Sequence, residues 1–462
     1  MSDKFNSYRY KTQPYEHQKK VLKDSWAELY YAYLLEMGTG KSKCAIDNIG
    51  MLYEDNKINA VLIIAPKGVM DNWSKGEIPV HLPDRIPRIV CGWTPSSSKK
   101  FAEELKHITY HKTNDLKFFV MNVEAFSTSK GTKAAYEFLL KNPENMVVVD
   151  ESTTIKNRKA ARTKNIMELR NVSLYRRILT GSPVTKSPMD LFSQCFFLSP
   201  RALGFNSYYA FQNRYAQVQS RTMGNRSFQE IVGYRRLDEL NEKLLSFSNR
   251  TLKEDCLDLP EKIYTRRHIE LTDEQLTVYT QMKKLALAQL QNGDLATTES
   301  VLTQIMRLQQ ICCGFFQPDE GAIQPLANNR LSGLMSVIDE CSGKAIIWAS
   351  YTYDIQRIAQ ALRDRFGPDS VATYFGGTPQ NDRQDIVNKF QDADSDLRFF
   401  VGQPKTGGFG ITLHQASTVI YFSNSYDLEI RLQSEDRAHR LGQTKSVTYV
   451  DLVSPNTIDD KV

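Results

Sequence analysis

The sequence predicts an α/β protein with two domains, each built on a parallel sheet. Short apolar runs alternate with stretches of helical periodicity, and this alternation occurs in each half of the 462-residue chain. Runs that are apolar at successive positions are typical of strands buried on both faces of a parallel sheet. Strands that alternate with helices imply right-handed crossovers. At ~150 residues per domain, the length allows two or three domains.

The predicted strands are these apolar runs. In the first half they are residues 31–35 (YAYLL), 60–65 (AVLIIA), 117–121 (KFFVM), 146–149 (MVVV) and 176–180 (RRILT). In the second half they are residues 345–349 (AIIWA), 371–375 (VATYF), 398–401 (RFFV), 418–422 (TVIYF) and 446–452 (SVTYVDL).

Two regions, 188–250 and 271–340, have mainly helical patterns. They suggest helical insertions, about 188–245 in a first domain of residues 1–250 and about 271–335 in a second domain of residues 251–462. The polar stretch 249–262 contains the helix breaker Pro260 and is the predicted hinge.

Composition places the chain among ordinary globular proteins, with 41% hydrophobic and 24% charged residues. No apolar run approaches the ~18 residues that a membrane span needs, and the first 15 residues lack the apolar core of a signal peptide. An intracellular location is therefore expected, in the cytoplasm of a prokaryote or of an infected host cell, and secretion is not. Seven cysteines without a C-x-x-C pair argue against a disulfide framework or a zinc site.

Charge is unevenly distributed along the chain. Residues 1–250 hold 38 Lys and Arg against 25 Asp and Glu, a balance of +13, whereas residues 251–462 hold 21 against 28, a balance of −7. A basic half beside an acidic half suggests that one part holds a polyanion. Uneven surface charge without a partner explains the numbers equally well.

A phosphate-binding loop is indicated by Gly38, Thr39, Gly40, Lys41 and Ser42. The general pattern is G-x-x-x-x-G-K-[ST], but its first glycine is replaced by Leu35. A predicted strand precedes the loop and a helical pattern follows it, which is the context that phosphate binding requires. The alternative is a chance Gly-Lys-Ser on a solvated turn.

Adjacent carboxylates, Asp150 and Glu151, follow the apolar run 146–149. A carboxylate at the C-terminal end of a buried strand faces the ligand crevice of an α/β sheet. Asp150 is placed to hold Mg²⁺, as is Ser42 of the loop, and Glu151 to orient and deprotonate a water molecule. The alternative is an ordinary strand end followed by a helix start.

A third cluster lies in residues 432–443 (LQSEDRAHRLGQ). If this stretch is helical, Gln433, Asp436, Arg437 and Arg440 share one face. Paired guanidinium groups suit a γ-phosphate and can balance charge in its transfer. A charged solvent-facing helix is the alternative.

Nine ordered segments resemble the motifs of superfamily 2 helicase-like ATPases, in the SWI/SNF-like branch of double-stranded DNA translocases. They are residues 13–20 (QPYEHQKK), 34–42 (LLEMGTGKS), 62–73 (LIIAPKGVMDNW), 147–157 (VVVDESTTIKN), 179–192 (LTGSPVTKSPMDLF), 345–355 (AIIWASYTYDI), 374–390 (YFGGTPQNDRQDIVNKF), 406–422 (TGGFGITLHQASTVIYF) and 433–443 (QSEDRAHRLGQ).

The resemblance implies two RecA-like lobes with ATP and Mg²⁺ bound between them. The residues implied for ATP binding are Gln18, as the adenine reader, Gly38, Thr39, Gly40, Lys41, Ser42, Gly408 and Gln433. Those implied for catalysis are Lys41, Asp150, Glu151, Arg437 and Arg440, and Ser42 and Asp150 would be the Mg²⁺ ligands.

The resemblance also implies DNA contacts and residues that couple them to the ATP site. The coupling residues would be Thr180 and Ser182. The implied DNA contacts are Pro66, Lys67, Trp73, Ser350 and Thr406. Independently of the resemblance, the basic run 155–177, with Lys156, Arg158 and Lys159, favours phosphate contact over the alternative of a solvated helical face. A second basic and aromatic stretch, 201–236, suits phosphate contact or a solvated face equally well.

The sequence departs from the family pattern in three places. Thr153 stands where His is common, Tyr426 replaces a Trp, and the chain ends at SPNTIDDKV where relatives continue. The compact build resembles viral or bacterial members. The expected function is an ATP-dependent translocase on duplex DNA of no particular sequence. The alternatives are a strand-separating DNA or RNA helicase and an ATP-gated DNA-binding scaffold with little turnover.

Overall fold

A computed structural model of the chain describes residues 4–95, 98–223, 226–256, 259–291, 298–318, 321–407, 411–440 and 442–461. The chain divides into two compact units, residues 1–257 and 258–462. Each is an α/β unit with a parallel sheet, as the sequence predicts.

Unit 1 contains a seven-stranded, all-parallel sheet with the order β3-β4-β2-β5-β6-β1-β9. The strands of this unit, in chain order, are β1 Tyr30–Leu35, β2 Ala60–Ala65, β3 Arg88–Gly92, β4 Leu116–Asn122, β5 Asn145–Asp150, β6 Tyr175–Leu179, β7 Ala216–Met223, β8 Arg226–Tyr234 and β9 Ser248–Thr251.

The central strands form where the apolar runs predict them. Every residue of β2 and β5 is buried, because helices cover both faces of a parallel sheet. One continuous core joins alternate strand residues such as Leu34, Leu62 and Val149 to the helices on that face. Since the strands are parallel, the loops that follow β1, β5 and β6 lie at the same edge of the sheet.

Helices of unit 1 connect these strands. They are α1 Lys4–Ser7, α2 Glu16–Ser25, α3 Lys41–Glu54, α4 Ile78–His81, α5 Lys99–Tyr110, α6 Ser129–Lys141, α7 Ala161–Glu168, α8 Leu191–Leu198, α9 Tyr208–Tyr215 and α10 Leu237–Leu245. The helix predicted after the phosphate loop is α3, and its Ile46, Ile49 and Leu52 are fully buried.

The region 188–250 is only partly helical. Strands β7 and β8 pair antiparallel as a separate two-stranded sheet between α9 and α10. The prediction of a mainly helical insertion is wrong for residues 216–223 and 226–234. In the first of these two strands, Ala216 and Val218 alternate with polar Gln217 and Gln219, a period that fits a strand.

Unit 2 contains a six-stranded, all-parallel sheet with the order β10-β17-β16-β13-β15-β14 and a short antiparallel pair, β11-β12. Its strands are β10 Lys262–His268, β11 Phe315–Phe316, β12 Gln324–Pro325, β13 Lys344–Trp348, β14 Val371–Tyr374, β15 Phe399–Gly402, β16 Ala416–Tyr421 and β17 Val447–Val453. Its helices are α11 Asp273–Gln291, α12 Thr298–Cys313, α13 Arg330–Glu340, α14 Thr352–Phe366, α15 Gln380–Gln391, α16 Pro404–Gly407 and α17 Leu428–Glu435.

The last turn of the described chain is fixed to unit 2 by a buried ion pair. Arg330 at the start of α13 is completely buried, and its guanidinium lies 2.8 Å from the Asp459 carboxylate. The same guanidinium donates to the carbonyl oxygens of Phe422 and Leu452. Asp459 in turn accepts from the backbone N–H of Ser454, so this pair ties α13 to β16, β17 and the segment after β17.

Candidate nucleotide-binding site

The phosphate loop runs from the end of β1 at Leu35 to the start of α3 at Lys41. Gly38 and Gly40 have φ angles of 81° and 92°, a left-handed conformation that glycine adopts without steric cost. A Cβ at Gly40 would also collide with the side-chain amide of Gln18. The loop therefore opens α3 with backbone N–H groups and a partial positive charge, which suit an anion.

Gln18 and His17 hold this loop from α2. The Gln18 Nε2 atom donates to the Thr39 carbonyl oxygen at 3.0 Å, and its Oε1 accepts from the Tyr15 N–H at 3.0 Å. The His17 Nε2 atom lies 2.8 Å from the same Thr39 oxygen. Gln18 thus contacts the loop itself, and its predicted role as adenine reader stays a prediction. Nothing in the sequence pattern singled out His17.

Asp150 is the last residue of β5, and Glu151 follows it at the sheet edge where the phosphate loop lies. The Asp150 Oδ1 atom accepts from the Glu151 N–H at 3.0 Å, and its Oδ2 accepts from the Trp73 indole Nε1 at 2.8 Å. Glu151 has a φ of 46°, an uncommon conformation for a residue with a side chain and one that concentrates at functional sites.

The electrostatics of Asp150 fit a cation site. Burial raises the pKa of its carboxyl, while the Trp73 hydrogen bond and the nearby Lys41 ammonium lower it. Lys41 itself is buried at the start of α3. A buried carboxylate that is held in place but penalised by desolvation is stabilised when a divalent cation supplies charge. The Asp150 carboxylate is an oxygen ligand of the kind that Mg²⁺ prefers, and the predicted Mg²⁺ contact of Ser42 stays a prediction.

Thr180 and Ser182 lie on the loop after β6. The Thr180 N–H donates to the Tyr33 carbonyl oxygen of β1 at 3.1 Å, and the Ser182 N–H donates to the Thr180 hydroxyl at 3.2 Å. Between them, a Cβ at Gly181 would lie only 3.2 Å from the backbone nitrogen of Met37. The structure therefore brings this loop against the start of the phosphate loop, and the coupling role of both residues stays a prediction.

Trp73 lies in the core rather than on a DNA-facing surface. It is fully buried in the π-helical turn Asn72–Glu77, and its indole N–H is used by Asp150. The prediction that Trp73 contacts DNA is wrong in this structure because the side chain has no exposed surface, and its position is that of a support for the carboxylate.

The basic run 155–177 divides into exposed and structural residues. Lys159 is exposed, Lys156 donates to the Thr185 hydroxyl at 2.6 Å, and the Arg158 guanidinium lies over the Tyr208 ring at 4.1 Å. Arg176 and Arg177 are structural instead: each donates to backbone carbonyl oxygens, and Arg177 is fully buried. The prediction that the run 155–177 contacts phosphate is therefore wrong for Arg176 and Arg177.

The remaining predicted DNA contacts are divided between the units. After β2, Pro66 is buried and Lys67 is exposed. In unit 2, the Ser350 N–H donates to the Ser423 hydroxyl at 2.9 Å, and the Thr406 hydroxyl donates to the Gln403 side chain at 3.2 Å. These roles stay predictions. Gly408 lies outside the described residues.

The arginine cluster of unit 2 is organised by a turn. Helix α17 ends at Glu435, so Asp436, Arg437 and Arg440 do not extend a helical face from Gln433, and that prediction is wrong. The guanidinium groups nevertheless converge, because Nη1 of Arg437 and Nη1 of Arg440 each donate to the Ile411 carbonyl oxygen at 3.1 Å. Arg437 Nε also donates to the Gln433 carbonyl oxygen at 2.9 Å.

Gln433 itself is 2% exposed. Its Nε2 donates to Glu429 at 3.3 Å, whereas its Oε1 has no hydrogen-bond partner among the described residues. A buried acceptor without a donor costs free energy, so a ligand that donates a hydrogen bond here would remove that cost. The nucleotide contact predicted for this cluster stays a prediction.

The two parallel-sheet units, together with the family models that match them, place the chain in the class of helicase-like ATPases. Within that class, the chain belongs to the SNF2-related family of superfamily 2. The family model for the SNF2-related domain matches residues 34–316, and that for the helicase conserved C-terminal domain matches residues 329–442.

Curated relatives agree with this assignment. The chain is 26% identical over 456 residues to the SWI/SNF chromatin-remodeling complex subunit snf22 of Schizosaccharomyces pombe, covering 92% of this chain and 25% of that protein. It is 25% identical to the uncharacterized ATP-dependent helicase MG018 of Mycoplasma genitalium (92% and 38%) and 26% identical to the human DNA annealing helicase and endonuclease ZRANB3 (92% and 36%). The chain thus spans a quarter to two-fifths of the length of these relatives.

A solved structure, the Sulfolobus solfataricus SWI2/SNF2 ATPase core in complex with dsDNA, is 23% identical with a TM-score of 0.44, covering 98% of this chain and 90% of that chain. Among the residues that the structure describes, no helix combines the length and the apolar character needed to cross a membrane.

Proposed function

We propose that this protein is a DNA-dependent ATPase that couples ATP hydrolysis to movement along double-stranded DNA. The observation that carries the proposal is the meeting of the phosphate loop, the buried Asp150 and the strained Glu151 at one edge of the unit 1 sheet. The family membership and the relatives named as ATP-dependent or DNA helicases support it. An intracellular location follows, since the substrate lies inside cells.

Each residue of the site has a role in this proposal. Lys41 and the loop N–H groups would hold the β- and γ-phosphates. Ser42 and Asp150 would hold Mg²⁺, which supplies Lewis-acid charge when bound. Glu151 would orient the attacking water and accept its proton, and the paired Arg437 and Arg440 would offset negative charge on the transferred phosphoryl group.

The decisive experiment measures ATP turnover with duplex DNA, single-stranded DNA, forked DNA and RNA. Duplex DNA should stimulate turnover most, and Lys41→Ala and Glu151→Gln should each abolish it, because they remove phosphate charge stabilisation and the general base. Displacement of a triplex-forming strand from the duplex would measure movement. Absence of stimulation by every nucleic acid would refute the proposal.

A strand-separating activity is the second candidate, and the β7–β8 hairpin favours it. This antiparallel pair lies outside the main sheet, and its stem exposes Val232 and Tyr234 beside Arg235 and Arg236. Exposed aromatic and basic side chains can stack on and grip unpaired bases. If the hairpin separates strands, replacing residues 217–233 with a short Gly-Ser turn should abolish strand displacement while triplex displacement persists.

A further inference from the structure

Glu36, the first residue after β1, joins the phosphate loop to the end of unit 1. Its N–H donates to the Thr251 carbonyl oxygen at 2.9 Å, and its carboxylate Oε2 accepts from the Lys253 N–H at 2.9 Å. Its carbonyl oxygen accepts from the Thr39 hydroxyl at 2.7 Å and from the Thr39 N–H at 3.3 Å. One residue thus contacts both the loop and the segment after β9.

Arg250 makes a second connection beside the first. Its Nη1 donates to the Gly181 carbonyl oxygen at 2.6 Å and to the Leu34 carbonyl oxygen at 3.3 Å. Burial lowers the pKa of this guanidinium and the charge of Glu36 opposes that change. Because Gly181 packs against Met37, Arg250 fixes the loop after β6 to the start of the phosphate loop.

Both connections end on the chain that leaves unit 1. Strand β9 is the outermost strand of the sheet beside β1, with Leu35 opposite Thr251. Unit 1 ends at residue 257, a few residues beyond Lys253. The described partners of the Glu36 carboxylate and the Arg250 guanidinium are backbone groups of unit 1, so neither side chain is needed to hold phosphate.

We propose that Glu36 and Arg250 are positioning residues that transmit the state of the phosphate loop to residues 251–256. A phosphate that draws the loop N–H groups toward itself displaces Thr39, and the Thr39 bonds to Glu36 pass this displacement to Lys253. The inference rests on the proposed function, because it assumes that nucleotide occupies the loop. This role would explain why an acidic residue, Glu36, precedes the glycines, although the general phosphate-loop pattern requires no acid there.

Hydrogen exchange in the full chain tests the transmission directly. Peptides covering residues 248–256 are compared with and without a slowly hydrolysed ATP analogue and Mg²⁺. In the wild type, nucleotide should change exchange at the Lys253 amide. Glu36→Ala should abolish that response, and Glu36→Gln, whose Oε1 can still accept from Lys253, should retain it. An unchanged response in Glu36→Ala would overturn the proposal.

Steady-state kinetics provide the second readout. The ratio of DNA-stimulated to basal ATP turnover should fall about tenfold in Glu36→Ala and Arg250→Ala, the size of a typical coupling between sites. The KM for ATP should change by less than about twofold, because no ground-state interaction with nucleotide is removed. Glu36→Gln should restore the ratio. If the Ala variants lose ATP affinity together with DNA stimulation of turnover, Glu36 and Arg250 have a merely structural role, and the proposal is overturned.

The matched control is Glu103→Ala, which removes an exposed glutamate of α5 outside every predicted site; it should match the wild type in both assays. If the proposed function is wrong, DNA will stimulate neither the wild type nor any variant. The exchange response to nucleotide alone will still decide the role of Glu36, so the two failures can be told apart.

Discussion

The carboxylate of Asp150 lies among groups that favour its charge and groups that oppose it. Burial is the largest influence and raises its pKa, and the Trp73 indole N–H is the largest opposing one. A hydrogen bond to a buried charged group contributes roughly 1.5–3 kcal/mol. The indole therefore keeps Asp150 ionised at lower pH than burial alone would allow.

Trp73→Phe should therefore lower ATP turnover about tenfold or more, since the hydrogen bond it removes contributes more than about 1.36 kcal/mol. It should also move the acid limb of the pH–rate profile to higher pH, because the pKa of Asp150 rises when its donor is removed. Trp93→Phe is the control, since Trp93 is also buried but lies against Phe101 and Phe119. A Trp73→Phe enzyme with the wild-type pH profile would contradict this account.

Asp354 in α14 of unit 2 is a second carboxylate whose pKa is raised by burial and lowered by a neighbouring group. Burial raises the pKa of its carboxyl to about 6, with the Arg357 guanidinium at 2.9 Å opposing the rise. The native protein therefore holds a proton that the unfolded chain releases near pH ~4. Its contribution to stability is full below about pH 4 and is lost as pH rises through about 6.

The Asn side chain of the Asp354→Asn variant does not titrate, so this variant should not lose stability as pH rises in this way. Relative to the wild type, its stability should improve by up to about 3 kcal/mol between about pH 4 and pH 8, from roughly two pKa units at about 1.36 kcal/mol each. Thermal unfolding of both proteins across that range measures the difference. A pH-independent difference would show that the Asp354 carboxyl titrates normally in the folded state.

The pair of Arg330 and Asp459 acts on a larger element, the end of unit 2. Asp459→Ala leaves a completely buried guanidinium without its carboxylate, and breaking such a pair costs about 3–5 kcal/mol. The unfolding transition of unit 2 should shift to lower temperature. Asp460→Ala is the matched control, because Asp460 is exposed and lies 3.9 Å from Arg266; a comparable shift in both variants would contradict the assignment.

The elements that the sequence predicted well are those buried on both faces. The apolar runs became β2, β4, β5 and β6 with boundaries within about one residue, and β13 to β17 within about two. Among the strands of the two parallel sheets, the sequence missed β3, β9 and β10, which lie at sheet edges, although it predicted the edge strand β14. An edge strand buries less surface, so polar residues such as those of Ser248–Thr251 are tolerated and the apolar signal is weakened.

For the candidate site, the sequence shows the type of each residue but not its burial or its local backbone. Lys41, Asp150 and Glu151 carry their chemistry in their residue type and in their place after a strand. Trp73 was assigned to DNA because residue type alone does not show burial. The prediction of one helical face through Arg440 is wrong because α17 ends at Glu435 and the backbone continues in turns, in which the N–H groups of Arg437 and Ala438 donate to the carbonyl oxygens of Ser434 and Glu435.

The hydrogen-bond partners of Glu36 and Arg250 could not be found from sequence patterns, although Glu36 lies within the motif segment 34–42. Their hydrogen bonds to Lys253 and Leu34 join residues 217 and 216 positions apart in the chain. Such pairings depend on the order of strands in the folded sheet, which places β9 beside β1.

The whole molecule carries its positive charge in its first half, +13 against −7. Binding of duplex DNA to that half would release counterions, so affinity should fall steeply with salt. In the double variant Lys67→Ala and Lys159→Ala, the slope of log affinity against log salt should become shallower by roughly 0.9 for each phosphate that is no longer neutralised. Titrations of labelled duplex between about 50 and 200 mM salt measure it.

Lys99→Ala with Lys100→Ala is the charge-matched control for this experiment, since both lysines are exposed at the start of α5 and outside the predicted DNA-binding residues. If the two double variants reduce the slope equally, binding depends on total charge, and the assignment of Lys67 and Lys159 to DNA is wrong.

The position of β9 has a consequence for synthesis of the chain on the ribosome. The strand that opens the phosphate loop is bordered on one side by β9, and the bond from Lys253 to Glu36 joins residues 217 positions apart. Contacts so distant in sequence form late and slowly, and the N-terminal part of a chain emerges first. A nascent chain that ends before β9 would hold every glycine of the loop but lack the Thr251 and Lys253 groups that bond to Glu36, so the proposed connection between the phosphate loop and residues 251–256 can form only after Lys253 has emerged.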